Sequence, residues 1–292
     1  MSKGKFIEVE LPEDYGFLLE RSEREIYTLL MDKPKAMKMW EMLKEDPEVN
    51  ANWDMANYIA VKKLHYNDHG ETHVKIVAAN ALKMLSILMK RSIQPDLIRD
   101  YGGDIEDEYL VVLSAALLHD IGNQVFRDEH SLHSTYLAIP ILNRLLPHIY
   151  DDVEHMVELR GFILHAIFAH GSEVRDLTME AALVGIADGT DMTKGRGRLP
   201  FDMGDANIHS VSALSIDDVR VIEGEEKPIR IEIDMSNSAG IFQIQETLGE
   251  KIRGSPIEGL VEIIATTLPR ESDTDRRIVS RIIFEKGKYL VA

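Results

Sequence analysis

From about Ile26 to Ala187 the apolar positions recur every three to four residues, a spacing that predicts successive amphipathic helices rather than strands. Ser22-Glu-Arg-Glu25 reads as a capping box that opens a helix carrying Ile26, Leu29 and Leu30, and Asp32-Lys-Pro34 ends it. A second helix covers 36–44 and closes near Asp46-Pro47, and a third lies within 52–66, with Trp53 and Tyr58 read as core. A long helix spans 71–91. After the loop Asp100-Tyr-Gly-Gly103 come an apolar helix ending at His119 and further helices at 131–144, 152–169 and 177–187.

Beyond Ala187 the period changes. Five glycines and prolines make 188–210 an extended loop. Ile229-Arg-Ile-Glu-Ile-Asp-Met235 alternates strictly, as a half-buried strand does, and Asn237-Ser238 caps a helix through Ile241, Ile244, Leu248 and Ile252. Strands follow at 261–267 and 278–284, a turn at Gly287 leads into 289–291, and 219–222 adds another strand. The fold class is mainly α: an arm (1–20), a helical bundle (21–200), a linker (201–214) and a small α+β domain (215–292). The last is similar to ferredoxin-like or ACT-like regulatory and dimerisation modules, so a homo-oligomer through it is expected.

Composition narrows the chemistry. None of the 292 residues is cysteine, so any metal must be held by His, Asp or Glu, and the eleven histidines become the candidates. A net charge of -17 argues against long nucleic acids as partners, because backbone binding needs clustered Lys and Arg. No apolar run reaches the roughly 18 residues of a membrane span and the N-terminus has no apolar signal core, so no membrane partner and a cytoplasmic location are expected.

His119-Asp120 is the most informative spot. A His and a carboxylate at the end of an apolar helix are standard ligands for Zn, Mn, Fe or Ni. Neighbours on a regular helix diverge by roughly 100°, so the helix must end there, and Gly122 is expected to end it in the left-handed conformation of a C-cap. His73 opens the long helix, His133 lies near the start of another, and His170 and Asp188 end two more. Each alone reads as an ordinary helix end. Together, in this order, they form a distributed metal-type set that a bundle can gather at one place.

The strings His73-Val-Lys-Ile-Val-Ala78, Ala115-Ala-Leu-Leu-His-Asp-Ile-Gly122 and Leu183-Val-Gly-Ile-Ala-Asp188 resemble the HD superfamily of metal-dependent phosphohydrolases, over roughly 60–200. The resemblance implies that His73, His119, Asp120 and Asp188 hold a first divalent ion. It also implies that His133 and His170 add a second, with Asp120 as the bridge and catalytic centre. Two ions are expected, drawn from Mn, Fe, Ni, Mg or Zn. Asn123 stands where many relatives have Lys, and no Gly-Tyr-Pro string follows His170, unlike the cyclic-dinucleotide subgroup.

Thr193-Lys-Gly-Arg-Gly-Arg198 places Lys194, Arg196 and Arg198 just after Asp188, and these cations are the candidate binders of a substrate phosphate, with Asp191 orienting an arginine. His69, four residues before His73, is a candidate catalytic acid at a polar pocket rim formed by Tyr66-Asn-Asp-His-Gly70; His130 reads as surface or as support behind a ligand. The expected function is hydrolysis of a small phosphoester such as a nucleotide by a metal-activated hydroxide. The alternatives are a di-iron oxygenase of the same fold and a non-catalytic nucleotide sensor.

Overall fold

The computed structural model describes residues 15–171, 173–193, 212, 214–267, 281–285 and 288–291. Nine helices precede the sheet among these residues: α1 (Tyr15–Leu30), α2 (Pro34–Glu45), α3 (Pro47–Asn57), α4 (Glu71–Lys90), α5 (Asp96–Tyr101), α6 (Ile105–Leu118), α7 (His130–Leu145), α8 (Val153–Ala169) and α9 (Met179–Thr190). The predicted helices are all present, and α5 is added in what read as loop. Ser22 does not cap a helix. It lies inside α1, buried and in line with Ile26 and Leu30, because the apolar stripe continues upstream of the polar cluster.

Where the caps form, they do so with the expected chemistry. The Asp46 side chain accepts from the amides of Glu48 and Val49 ahead of Pro47 at the start of α3, and Asp104 and Asp107 form a reciprocal capping box on α6. α6 is buried from Asp107 to Leu118, packed on α2, α4, α8 and α9. α4 is the other core helix, against α1, α6 and α9. Contrary to the expectation from run length, α4 is long and apolar enough to cross a membrane, but 67% of its apolar window is buried within the protein. Its Lys75 is fully buried and pairs with Glu23 (2.6 Å) and Glu71 (2.5 Å), with Trp40 and Trp53 each 5.7 Å from the ammonium, which ties α1 to α4. Trp53 donates from its indole to the Leu117 carbonyl (2.8 Å) and is core, whereas Tyr58 is exposed on the π-turn Tyr58–Lys63 that follows α3.

The C-terminal part is α+β, with strands β1 (Ile216–Glu223), β2 (Ile229–Met235), β3 (Val261–Thr267), β4 (Arg281–Glu285) and β5 (Lys288–Val291) and a helical segment, α10 (residues 240–252), between β2 and β3. The sheet runs in chain order, antiparallel except for the parallel β2–β3 pair that α10 connects. Ile229, Ile231, Ile233 and Met235 face the core, as their alternation predicts. The order ββαβββ differs from the βαββαβ of ferredoxin-like modules, so the likeness extends to the mixed composition and not to topology. α10 packs on α9, and Arg91 at the end of α4 binds Glu223 and the Gly224 carbonyl of the β1–β2 turn.

Candidate metal centre

Five helix ends, those of α4, α6, α7, α8 and α9, and the loop carrying His69 meet beside a cavity of about 730 Å³. His73, in the first turn of α4, has its Nε2 3.2 Å from both Asp120 Oδ2 and Asp188 Oδ1. His119 follows the last residue of α6, with Nε2 3.5 Å from Asp120 Oδ2 and 3.9 Å from Asp188 Oδ1. His170 follows α8, and its Nε2 is 3.8 Å from Asp120 Oδ1 and 3.1 Å from His130 Nε2. His130 Nε2 is itself 3.4 Å from Asp120 Oδ1. Asp120 thus turns one oxygen to His73 and His119 and the other to His130 and His170.

The tautomers follow from what the other ring nitrogen touches. Nδ1 of His119, His130 and His170 each donates to the carbonyl three residues back, Ala116 (2.7 Å), Arg127 (3.0 Å) and Ile167 (2.6 Å). His73 Nδ1 donates to Asp191 Oδ2 (2.6 Å). In all four rings the Nε2 lone pair therefore points into the cluster, as a metal ligand requires. Burial pushes the His119 and His170 rings below their usual range, although Asp120 opposes it, and lowers His130 to about 4, so these imidazoles are neutral at physiological pH. Burial alone would raise Asp120, but its contacts with the neighbouring rings, among them the hydrogen bond that His69 Nδ1 donates, hold it well below the carboxylate range. Burial would raise Asp188 too, and the Lys251 ammonium chiefly holds it low.

This donor set fits divalent metal. Three overlapping groups, His69-His73-Asp120, His73-His119-Asp188 and His119-Asp120-His170, each bring their ligand atoms within 4.8 Å of one another. His119 Nε2 is buried with no hydrogen-bond partner among the described residues. Such an atom is costly unless an ion or water takes its lone pair.

Several expectations change here. Gly122 does not end α6 in a left-handed conformation; positive φ among the described glycines occurs at Gly102 and Gly254. His119 and Asp120 keep right-handed angles and pass into the 3-10 turn Ile121–Gln124. Gly122 is required instead by close packing, since a Cβ there would lie 2.0 Å from the His130 carbonyl oxygen. His133 is not gathered with the cluster. It lies half-buried on α7, away from the cavity wall, while His130, one turn earlier, reaches Asp120. His69, His73, His119, Asp120, His170 and Asp188 are brought together as expected. His69 Nδ1 is 2.7 Å from Asp120 Oδ2, and Tyr66, Asn67 and His69 do form the rim. Asp191 orients His73; its predicted arginine partners, with Lys194, Arg196 and Arg198, lie outside the described residues. Sequence reasoning missed Lys251, which carries no local signal and reaches Asp188 from the C-terminal domain.

Residues 70–193 match the HD domain family. The uncharacterized protein MJ1020 of Methanocaldococcus jannaschii is 49% identical over 227 residues, covering 78% of this chain and 87% of that protein. No solved structure matches the chain significantly. With its His, His-Asp and Asp signature folded into one buried cluster inside the matched region, the chain belongs to the HD-domain superfamily of metal-dependent phosphohydrolases.

Proposed function

We propose that the protein hydrolyses a small phosphoester, such as a nucleotide, at a binuclear centre held by His73, His119, Asp120 and Asp188 on one side and by Asp120, His130 and His170 on the other. The observation that carries this reading is the partnerless, buried Nε2 of His119 facing Asp120 and Asp188. When bound, divalent ions in such a set lower the pKa of water towards neutrality and draw charge from phosphoryl oxygens. His69 sits at the cavity wall with Nδ1 on Asp120, where it can hold or deliver a proton at the leaving oxygen. Asn123 donates to Asp120 Oδ1 (2.9 Å) and accepts from Arg127 (3.1 Å), which keeps the bridging carboxylate from rotating. A cavity of about 730 Å³ suits a nucleotide-sized substrate. Lys194, Arg196 and Arg198 remain the proposed phosphate binders.

The test is Asp120→Ala. The variant should lose both metal retention, measured by elemental analysis, and turnover of a chromogenic phosphoester. Unchanged turnover sinks the proposal. A His and carboxylate set without thiolate also suits iron, so oxygen consumption by the iron-loaded protein would favour the oxygenase alternative.

A further inference from the structure

Lys251 lies on α10, outside the region that matches the HD domain family, yet it touches the centre twice. Its ammonium is 2.6 Å from Asp188 Oδ2 and donates to the His170 carbonyl at 2.8 Å. These residues end two different helices, α9 and α8, and their other ends face inward: Asp188 Oδ1 towards His73, and His170 Nε2 towards His130 and Asp120. One cation therefore grips the outer side of two candidate ligands. The seat of α10 is built for this approach. A Cβ at Gly189, the neighbour of Asp188, would lie 3.2 Å from the Thr247 carbonyl oxygen and 3.3 Å from both Leu248 and Lys251. Thr247 Oγ1 also lies 3.6 Å from Met192 Sδ.

We infer that Lys251 is a positioning residue, supplied by the C-terminal domain, that holds Asp188 and the His170 segment in metal-binding geometry. The centre is thereby assembled across the domain boundary, and lifting α10 loosens ligands from both halves of it. This rests on the metal-centre reading above. Lys251 has two opposed effects on a bound cation. Its tether orients ligands and favours binding, whereas its charge repels the ion. Removing it separates the two: loss of the tether weakens metal binding, and relief of repulsion alone tightens it.

The experiment is Mn²⁺ titration of the full chain, stripped with chelator and followed by the electron paramagnetic resonance of free Mn²⁺. Lys251→Met should weaken Mn²⁺ binding about 10–100-fold, the usual effect of losing a partner behind a ligand. Lys251→Arg, which restores the charged donor, should recover most of that loss; a general packing defect would not be rescued in this way. Circular dichroism of the metal-free proteins checks the fold, and Lys251→Gln is titrated in place of Lys251→Met if the latter does not fold, with the same weakening expected. Wild-type or tighter Mn²⁺ binding by the Lys251→Met protein, or by Lys251→Gln in its place, overturns the inference alone. A wild-type chain that binds no divalent ion overturns the metal-centre reading, and the inference with it.

Discussion

Gly122→Ala adds one methyl group where the chain has no room for it. The added Cβ would lie 2.0 Å from the His130 carbonyl oxygen and 2.4 Å from the Ser134 nitrogen, both backbone atoms of the first turn of α7. Ordinary contact begins at 3.4 Å, so that turn must retreat by about 1.4 Å (3.4 − 2.0). Gly122 N also donates to Ser134 Oγ (2.8 Å), a bond the retreat breaks. His130 rides on this turn, with Nε2 3.4 Å from Asp120 Oδ1. Metal–ligand distances tolerate about 0.2 Å, so a shift of that size removes His130 from the centre. The expected outcome is a metal-free protein destabilised by about 1–3 kcal/mol, or about 2–10 °C in melting temperature for a chain of this size. The second Mn²⁺ should be lost while the first, held by His73, His119 and Asp188, is weakened less. Calorimetry of the stripped protein and Mn²⁺ titration measure both. Wild-type melting temperature with two ions still bound would refute the steric reasoning.

His130→Ala should cost the second ion in the same titration, whereas His133→Ala should leave both; the reverse pattern would restore the assignment expected from the sequence. Glu108, fully buried in the first turn of α6, has no hydrogen-bond donor to either carboxylate oxygen among the described residues. Burial, then the neighbouring Glu180, pushes its pKa well above 4.5. The folded state keeps a proton that the unfolded chain releases above about pH 4.5, so this group lowers stability as pH rises past that value. Glu108→Gln should therefore stabilise the protein by about 1–3 kcal/mol at pH 8 and by much less at pH 5, read from urea melts. An equal gain at both pH values would contradict the titration as its cause.

Much of this arrangement was legible because local signals carry it. The 3.6-residue period sets α4 and α6, strict alternation sets β2, and the order His73, His119-Asp120, Asp188 marks the centre. The structure departs from the sequence pattern mostly where neighbours in space are distant in sequence. Choosing between His130 and His133 depends on where α7 begins and how Gly122 seats its first turn, which neither residue's surroundings in the chain reveal. Lys251 is 63 residues beyond Asp188, on a helix whose own pattern announces only an apolar face. Ser22 failed as a cap because a capping box is defined by four residues, while the apolar stripe that overrides it extends further upstream.

The candidate ligand histidines sit at helix ends for a reason that periodicity does not express. The last turn of a helix leaves carbonyls without amide partners. A histidine just past that turn can donate Nδ1–H to one of them, which fixes the ring and leaves Nε2 free for a metal. His119 and His170 do this on α6 and α8, and His130 takes the Arg127 carbonyl of the turn before α7. His73 is in the first turn of α4, where the carbonyls are committed to the helix, so its tautomer needs a side chain, and Asp191 supplies it. A ring held by backbone cannot be released by changing a neighbouring side chain. The points at which this candidate centre can be adjusted are thus those fixed by side chains: His73 through Asp191, Asp120 through Asn123 and His69, and Asp188 through Lys251. Lys251 belongs to the C-terminal domain, which thereby contacts the candidate metal site from behind Asp188.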